Sequence, residues 1–266
     1  MAASSDRRKS IGGRLPLILL GVFAAACLVA LVFLGDLARY QESAMIAESQ
    51  AALRDVSDSA ELDRAIRRHP ANRILKLVAL AEAKSAEIDA AVRRMLDDAG
   101  PATLAKPVNL AASSRADLEA LRGDLMTAER NVAALAPGIN DLVKTSRAEL
   151  QTAARALRVE NSTIARFMAA IDELNAEWTA LAGKIAAARG AYYSAYDKCA
   201  ALLIRESGSY KVTDGQLIFR LQPTADSYNA ASAAMAAAVK STAELEAETN
   251  ALRRSQLERW KKFVGG

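Results

Sequence analysis

A seven-residue apolar repeat runs through the middle of the chain and constrains its fold more than any other feature. Sixteen consecutive core positions of the repeat lie between Leu150 and Leu202, and Glu160 is the one polar residue among them. A helix with this period presents a continuous apolar stripe, which must be buried against other helices. The repeat predicts a long helix over residues 141–206.

The residues beside the stripe indicate how it is covered. Two-stranded coiled coils usually carry paired charges there, whereas here alanine is the commonest flanking residue, as at Ala154, Ala170 and Ala182. Alanine widens the stripe and lets several helices approach closely. We therefore expect an antiparallel bundle formed within the chain. An extended parallel dimer is the alternative. The sequence is also compatible with an oligomer of bundles.

The composition supports a mainly α fold. Alanine supplies 59 of the 266 residues, against 13 glycines and 6 prolines, and aromatic residues make up 5%. Alanine has the highest helix propensity, while strands favour β-branched and aromatic residues. Two cysteines cannot form a disulfide framework, and a single histidine leaves little scope for a metal site. We expect no metal and no cofactor.

An uncharged stretch of 20 residues, 15–34, precedes this body. As a helix it would span about 30 Å, the thickness of a bilayer core. The basic leader before it, residues 1–14, places the N-terminus in the cytoplasm by the positive-inside rule. The sequence thus predicts a single transmembrane signal anchor in the inner membrane, followed by an extracytoplasmic helical domain over residues 35–266.

Two other interpretations of this stretch remain open. A cleaved signal peptide would end in small residues, as at Ala24–Ala26, but the apolar stretch continues after them to Leu34. A lipid-accepting cysteine would be Cys27, although apolar residues follow it where polar ones are usual.

The charge distribution argues against nucleic acid as a partner. The net charge is +4, and the leader carries four basic residues against one acidic residue. The rest of the chain carries 31 basic and 30 acidic residues. Such a nearly neutral body has no broad phosphate-binding field. The partners expected are the membrane and a protein of the cell envelope.

The candidate binding residues surround the one convincing β pattern. Asp214-Gly215 between apolar runs predicts a small β-hairpin over residues 209–222. Five of the six tyrosines lie between Tyr192 and Tyr228. They form either a core plug or a recognition surface, because tyrosine offers rigid contact area with a polar tip. The candidate surface comprises Tyr192, Tyr196, Tyr210, Phe219 and Tyr228.

The basic C-terminal tail is a second candidate surface. Its cations suit the negative end of a helix dipole, or they form an amphipathic foot on anionic lipid. The residues for a membrane-surface contact are Arg253, Arg254, Arg259, Trp260, Lys261, Lys262 and Phe263.

No catalytic motif occurs in the sequence. Phosphate-binding loops, nucleophile elbows and zinc-ligand spacings are absent. We therefore expect a non-enzymatic envelope protein that binds or scaffolds through its helical domain. The alternative is an extracytoplasmic ligand-binding module with its site near the tyrosine-rich hairpin. An unrecognised hydrolase is a third alternative.

One segment resembles a known family. The residues Tyr210, Val212, Gly215, Leu217 and Phe219, followed by Ala225 and Tyr228-Asn229, resemble a segment of the YiaF-like bacterial envelope lipoproteins. The similarity covers about 25 residues. It implies an envelope location and a helix–hairpin–helix arrangement, and it implies no activity.

Overall fold

The computed structural model describes residues 40–105, 108–213 and 216–265. These residues form seven helices, one short 3-10 helix and one β-hairpin. In chain order the elements are α1 (residues 40–53), α2 (Ser59–Arg68), α3 (Arg73–Asp98), the 3-10 helix (Ala102–Ala105), α4 (Arg115–Ala133), α5 (Leu135–Ala156), α6 (Asn161–Arg205), β1 (Lys211–Thr213), β2 (Gln216–Ile218) and α7 (Gln222–Gly265).

Helices α6 and α7 form a long antiparallel pair. They contain 45 and 44 residues, so each is about 65 Å long. Polar contacts fix the direction, because residues late in α7 meet residues early in α6. The pairs are Glu177 with Arg259 at 2.5 Å, Lys184 with Glu248 at 3.0 Å, and Arg166 with the Phe263 carbonyl at 2.5 Å.

The remaining helices pack around this pair. At one end, Leu118, Leu121 and Leu125 of α4 share a core with the last turns of α6. Helix α5 runs antiparallel to α3, with Lys84 paired to Glu149 at 2.7 Å. At the opposite end, α1, α2 and the start of α3 enclose a core with the start of α6 and the end of α7. The predicted helical bundle is confirmed.

The helix predicted over residues 141–206 is wrong in its extent. It is broken between Ala156 and Asn161, where Arg158 has a positive φ of 54°. The break coincides with Glu160, the one polar residue of the apolar repeat, which becomes the N-cap of α6. Because the chain reverses here, α5 and α6 lie side by side, joined by Arg147 and Asp172 at 2.5 Å.

The predicted fold class included a transmembrane helix, and the structure corrects that part of the prediction. None of the described helices is both long enough and apolar enough to span a bilayer. The described fold is therefore a helical bundle with one hairpin. The predicted transmembrane helix over residues 15–34, the leader over residues 1–14 and Cys27 lie outside the described residues. The predicted localisation stays a prediction.

The predicted hairpin is present. Its strands pair antiparallel, with Lys211 opposite Ile218 and Thr213 opposite Gln216. The proposed turn residues 214 and 215 lie between the strands and outside the described residues. The hairpin joins the end of α6 to the start of α7. It lies at the end of the bundle where the first turns of α4 pack against the last turns of α6.

Candidate functional site

The structure brings the predicted aromatic residues together in one cluster at the hairpin end. Phe219, just after β2, lies between Tyr228 of α7 and Tyr210, just before β1. Its ring centroid is 5.3 Å from that of Tyr228 and 5.9 Å from that of Tyr210. Tyr192 and Tyr196, one turn apart on α6, have ring centroids 5.8 Å apart. All five residues belong to the same apolar cluster.

The cluster rests on the contact between α4 and α6. Leu125 and Ala200 are fully buried there, and Leu217 of β2 packs against this core. Arg122 of α4 holds Asp197 of α6 with two hydrogen bonds, from Nε at 2.7 Å and from a terminal nitrogen at 3.3 Å. This bidentate pair orients the α6 turn that carries Tyr196.

Burial disfavours the charged form of three of these phenols, those of Tyr192, Tyr196 and Tyr228. It raises the pKa of Tyr196 to about 12, and it raises the pKa values of Tyr192 and Tyr228 from their ordinary value of 10.0. The pKa of the Cys199 thiol beneath them is raised for the same reason. A thiol with a raised pKa is a poor nucleophile. The cluster therefore provides contact area and neutral hydroxyl groups.

Exposed aliphatic residues lie on the hairpin beside this cluster. Val212, Ile218 and Leu221 are 48%, 52% and 58% exposed, and they lie on the hairpin or directly after it. Within the described ranges only three other large apolar residues are exposed, at scattered positions. We call Val212, Ile218 and Leu221 the hairpin surface. Sequence reasoning missed these three because it selected aromatic residues.

A groove of about 370 Å³ lies beside the cluster, between α6 and α7. Tyr193, which was not among the predicted residues, forms its wall together with Tyr192, Leu104 and the exposed Val239. Arg189 lies at its edge, where it donates a hydrogen bond to the Leu96 carbonyl at 2.6 Å.

The predicted tail surface divides into two parts. Trp260 is 1% exposed and Phe263 is also buried, and both contact Phe167 in the core. The basic residues lie nearer the surface, where Arg259 pairs with Glu177. Arg253 pairs with Asp89, Lys261 pairs with Glu258, and Arg254 and Lys262 are exposed. The aromatic side chains that a lipid contact would use are therefore inside the bundle.

A polar ladder joins α3 to α7 and was not predicted. The Trp260 indole donates to Glu82 at 2.5 Å, the Ser85 hydroxyl donates to Gln256 at 3.3 Å, and Arg253 donates to Asp89. The partners are separated by 164 to 178 residues along the chain. No local spacing reveals such pairs. Within the described part of the chain, no group of three or more His, Cys, Asp or Glu residues is arranged to hold a metal.

Comparison with protein-family models, with curated proteins and with solved structures finds no match to this chain. The resemblance of the hairpin segment to the YiaF-like lipoproteins therefore stays a prediction.

Proposed function

We propose that this protein is a non-enzymatic helical binding or scaffolding protein that recognises another protein through the hairpin surface. The observation that carries the proposal is the concentration of exposed aliphatic side chains at Val212, Ile218 and Leu221. Val212 pairs with Leu217, so it lies on the opposite face of the hairpin from Ile218, and apolar side chains are exposed on both faces. A concentration of exposed large apolar residues is typical of protein interaction sites. The aromatic cluster beneath holds these residues on a rigid base.

The hairpin also favours an extended segment as the partner's contact. Its sheet has only two strands in the described chain, so each strand has one edge without a neighbouring strand. Such an edge presents backbone N–H and C=O groups that an added strand can pair with. The aliphatic side chains would then contact alternate side chains of the partner strand.

Site-specific photocrosslinking tests the proposal. A photoreactive amino acid replaces Ile218 in the full chain, in cells that express the protein normally. We expect one defined protein adduct, and we expect the additional substitution Val212→Asp to reduce it at least about tenfold. The control places the same amino acid at Met126, which is 51% exposed and belongs to α4 rather than to the hairpin. The same adducts from both positions, or none from position 218, would contradict the proposal.

The groove beside Tyr192 and Tyr193 favours a second candidate function, a ligand-binding accessory module. Its walls are largely apolar, and Arg189 and Glu246 supply charged groups. Small-molecule sites commonly combine these features. A photoreactive amino acid at Val239 separates the two functions, since a ligand adds a small mass to the intact chain and a partner protein adds a large one.

A further inference from the structure

A cavity of about 470 Å³ lies between α3 and α7, at the polar ladder. This volume falls in the range of about 300–1,000 Å³ that is usual for small-molecule sites. Glu82, Ser85 and Asp89 share one face of α3 and form one side of it, and Gln256 of α7 forms the other. Trp178 of α6 contributes apolar wall. The cavity shares no lining residue with the hairpin surface.

Gln256 brings an unsatisfied donor to this cavity. The residue is 5% exposed, and its Oε1 accepts the Ser85 hydrogen bond. Its Nε2 has no hydrogen-bond partner of proper geometry among residues 40–105, 108–213 and 216–265. A buried N–H without an acceptor is unfavourable, because it has lost its hydrogen bonds to water without replacing them. An acceptor group placed in the cavity would recover that free energy.

Glu82 brings a carboxyl group that no cation neutralises. Its Oε1 accepts the Trp260 hydrogen bond, and no basic nitrogen of the described residues forms an ion pair with it. Burial raises the pKa of Glu82, and the hydrogen bond from Trp260 and the nearby Gln256 amide only partly offset this shift. A cation placed beside this carboxyl group would compensate its burial.

A ligand that satisfies both residues needs an acceptor for Gln256 and a cation for Glu82. Gln256 and Glu82 both line the cavity, and Gln256 lies one helical turn from Trp260, whose indole donates to Glu82, so the acceptor and the cation would lie close together. The ammonium and carboxylate of an α-amino acid, joined through one carbon, meet this requirement. The exposed Arg254 at the cavity edge offers a second contact for a carboxylate. Leu62, Trp178 and Leu257 offer an apolar surface to a side chain.

We propose that this cavity binds a small apolar α-amino acid as its zwitterion. The ammonium group contacts Glu82, the carboxylate accepts from Gln256 Nε2 and Arg254, and the side chain lies against Trp178. The proposal is independent of the hairpin surface, so either one can fail without the other.

Tryptophan fluorescence can follow binding at this site, because Trp178 lines the cavity and Trp260, the other tryptophan of the chain, donates a hydrogen bond to Glu82 in its wall. The full chain is titrated with leucine, methionine and phenylalanine. Leucine is compared with 3-methylbutylamine, which lacks the carboxylate, and with 4-methylpentanoate, which lacks the ammonium group. We expect a saturable response to at least one amino acid, and binding at least about tenfold weaker for both comparison compounds.

Two variants test the assigned contacts. Glu82→Gln keeps an acceptor for Trp260 and removes the charge, so binding should weaken at least about tenfold. Gln256→Leu removes the unsatisfied donor, so amino-acid binding should be lost while the melting temperature is kept or raised. Glu119→Gln on the exposed face of α4 is the matched control and should bind normally. No response to any of the three amino acids, equal binding of the amine, or normal binding by Gln256→Leu would overturn the proposal.

Discussion

The side chain of Glu42 on α1 caps the N-terminus of α6, 118 residues further along the chain. Its Oε2 accepts a hydrogen bond from the Glu160 backbone N–H at 2.8 Å, and its Oε1 accepts one from the buried Thr163 hydroxyl. Glu160 provides no side-chain cap of its own. A carboxylate at this position also interacts favourably with the helix dipole.

We expect Glu42→Ala to lower the free energy of unfolding by about 1–3 kcal/mol. The loss arises because the Thr163 hydroxyl is left buried without its acceptor and the first turn of α6 loses its cap. Urea unfolding of the full chain measures the change. Glu244→Ala, at an exposed position of α7, should change stability by less than about 0.5 kcal/mol. Equal losses would show that Glu42 does not act as a cap.

Ile171 lies on the apolar face of α6 and is 3% exposed. Ile171→Asp places a charge without a partner in the core, so we expect a loss of several kcal/mol and a large fall in melting temperature. Ser162→Asp, at an exposed position in the first turn of the same helix, should change little. Thermal unfolding followed by circular dichroism compares the two. Similar effects from both would contradict the assignment of the buried face.

Phe219 and Ile218 are neighbours with opposite environments. Phe219 packs between Tyr210 and Tyr228, so Phe219→Ala should lower the free energy of unfolding by about 2 kcal/mol. Ile218→Ala removes an exposed side chain and should cost less than about 0.5 kcal/mol. Denaturant unfolding measures both variants. A larger loss from Ile218→Ala would show that the hairpin surface belongs to the core.

The raised pKa of Glu82 leads us to expect that the stability of the protein depends on pH. Burial raises the pKa of Glu82 above the ordinary value of 4.5 in the folded state. The folded state therefore binds this proton more tightly than the unfolded state does. The stability contribution of the protonated group is fully present below pH 4.5 and is lost as the pH rises through the folded-state pKa.

Glu82→Gln carries no titratable group at this position. We therefore expect the stability of this variant relative to the unmodified chain to increase as the pH rises from about 4 to about 7. Urea unfolding across that range measures the difference, with Glu119→Gln as the control for an added amide at the surface. A difference that is constant with pH would contradict the raised pKa.

The sequence alone determined most of the helices and their buried faces. The apolar residues of α4, at Leu118, Leu121, Leu125, Ala128 and Val132, recur at the spacings of three and four residues that give a helix one apolar face, and all of them are buried. Ser114 and Asp117 form a capping box at the start of this helix. These features are local, since helical spacing and caps depend on residues within a few positions of one another.

The aromatic cluster was also predicted, because its residues are close together in the sequence. Tyr210 and Phe219 flank a short hairpin, and Tyr228 follows within two turns of α7. Closing so short a loop leaves few arrangements for three large side chains. The sequence did not indicate the hairpin surface, because the exposure of its side chains depends on which faces the distant helices cover.

Only the tertiary structure decided the contacts between elements remote in the chain. The break at Arg158 turns one predicted helix into two packed helices, although the apolar repeat continues through it. Trp260, predicted as a surface residue, is buried because α7 returns along α6 to the core at the opposite end. Glu82 and Gln256 meet for the same reason. Helical periodicity determines which face of a helix is apolar, whereas the packing of several such faces determines which distant residues meet there.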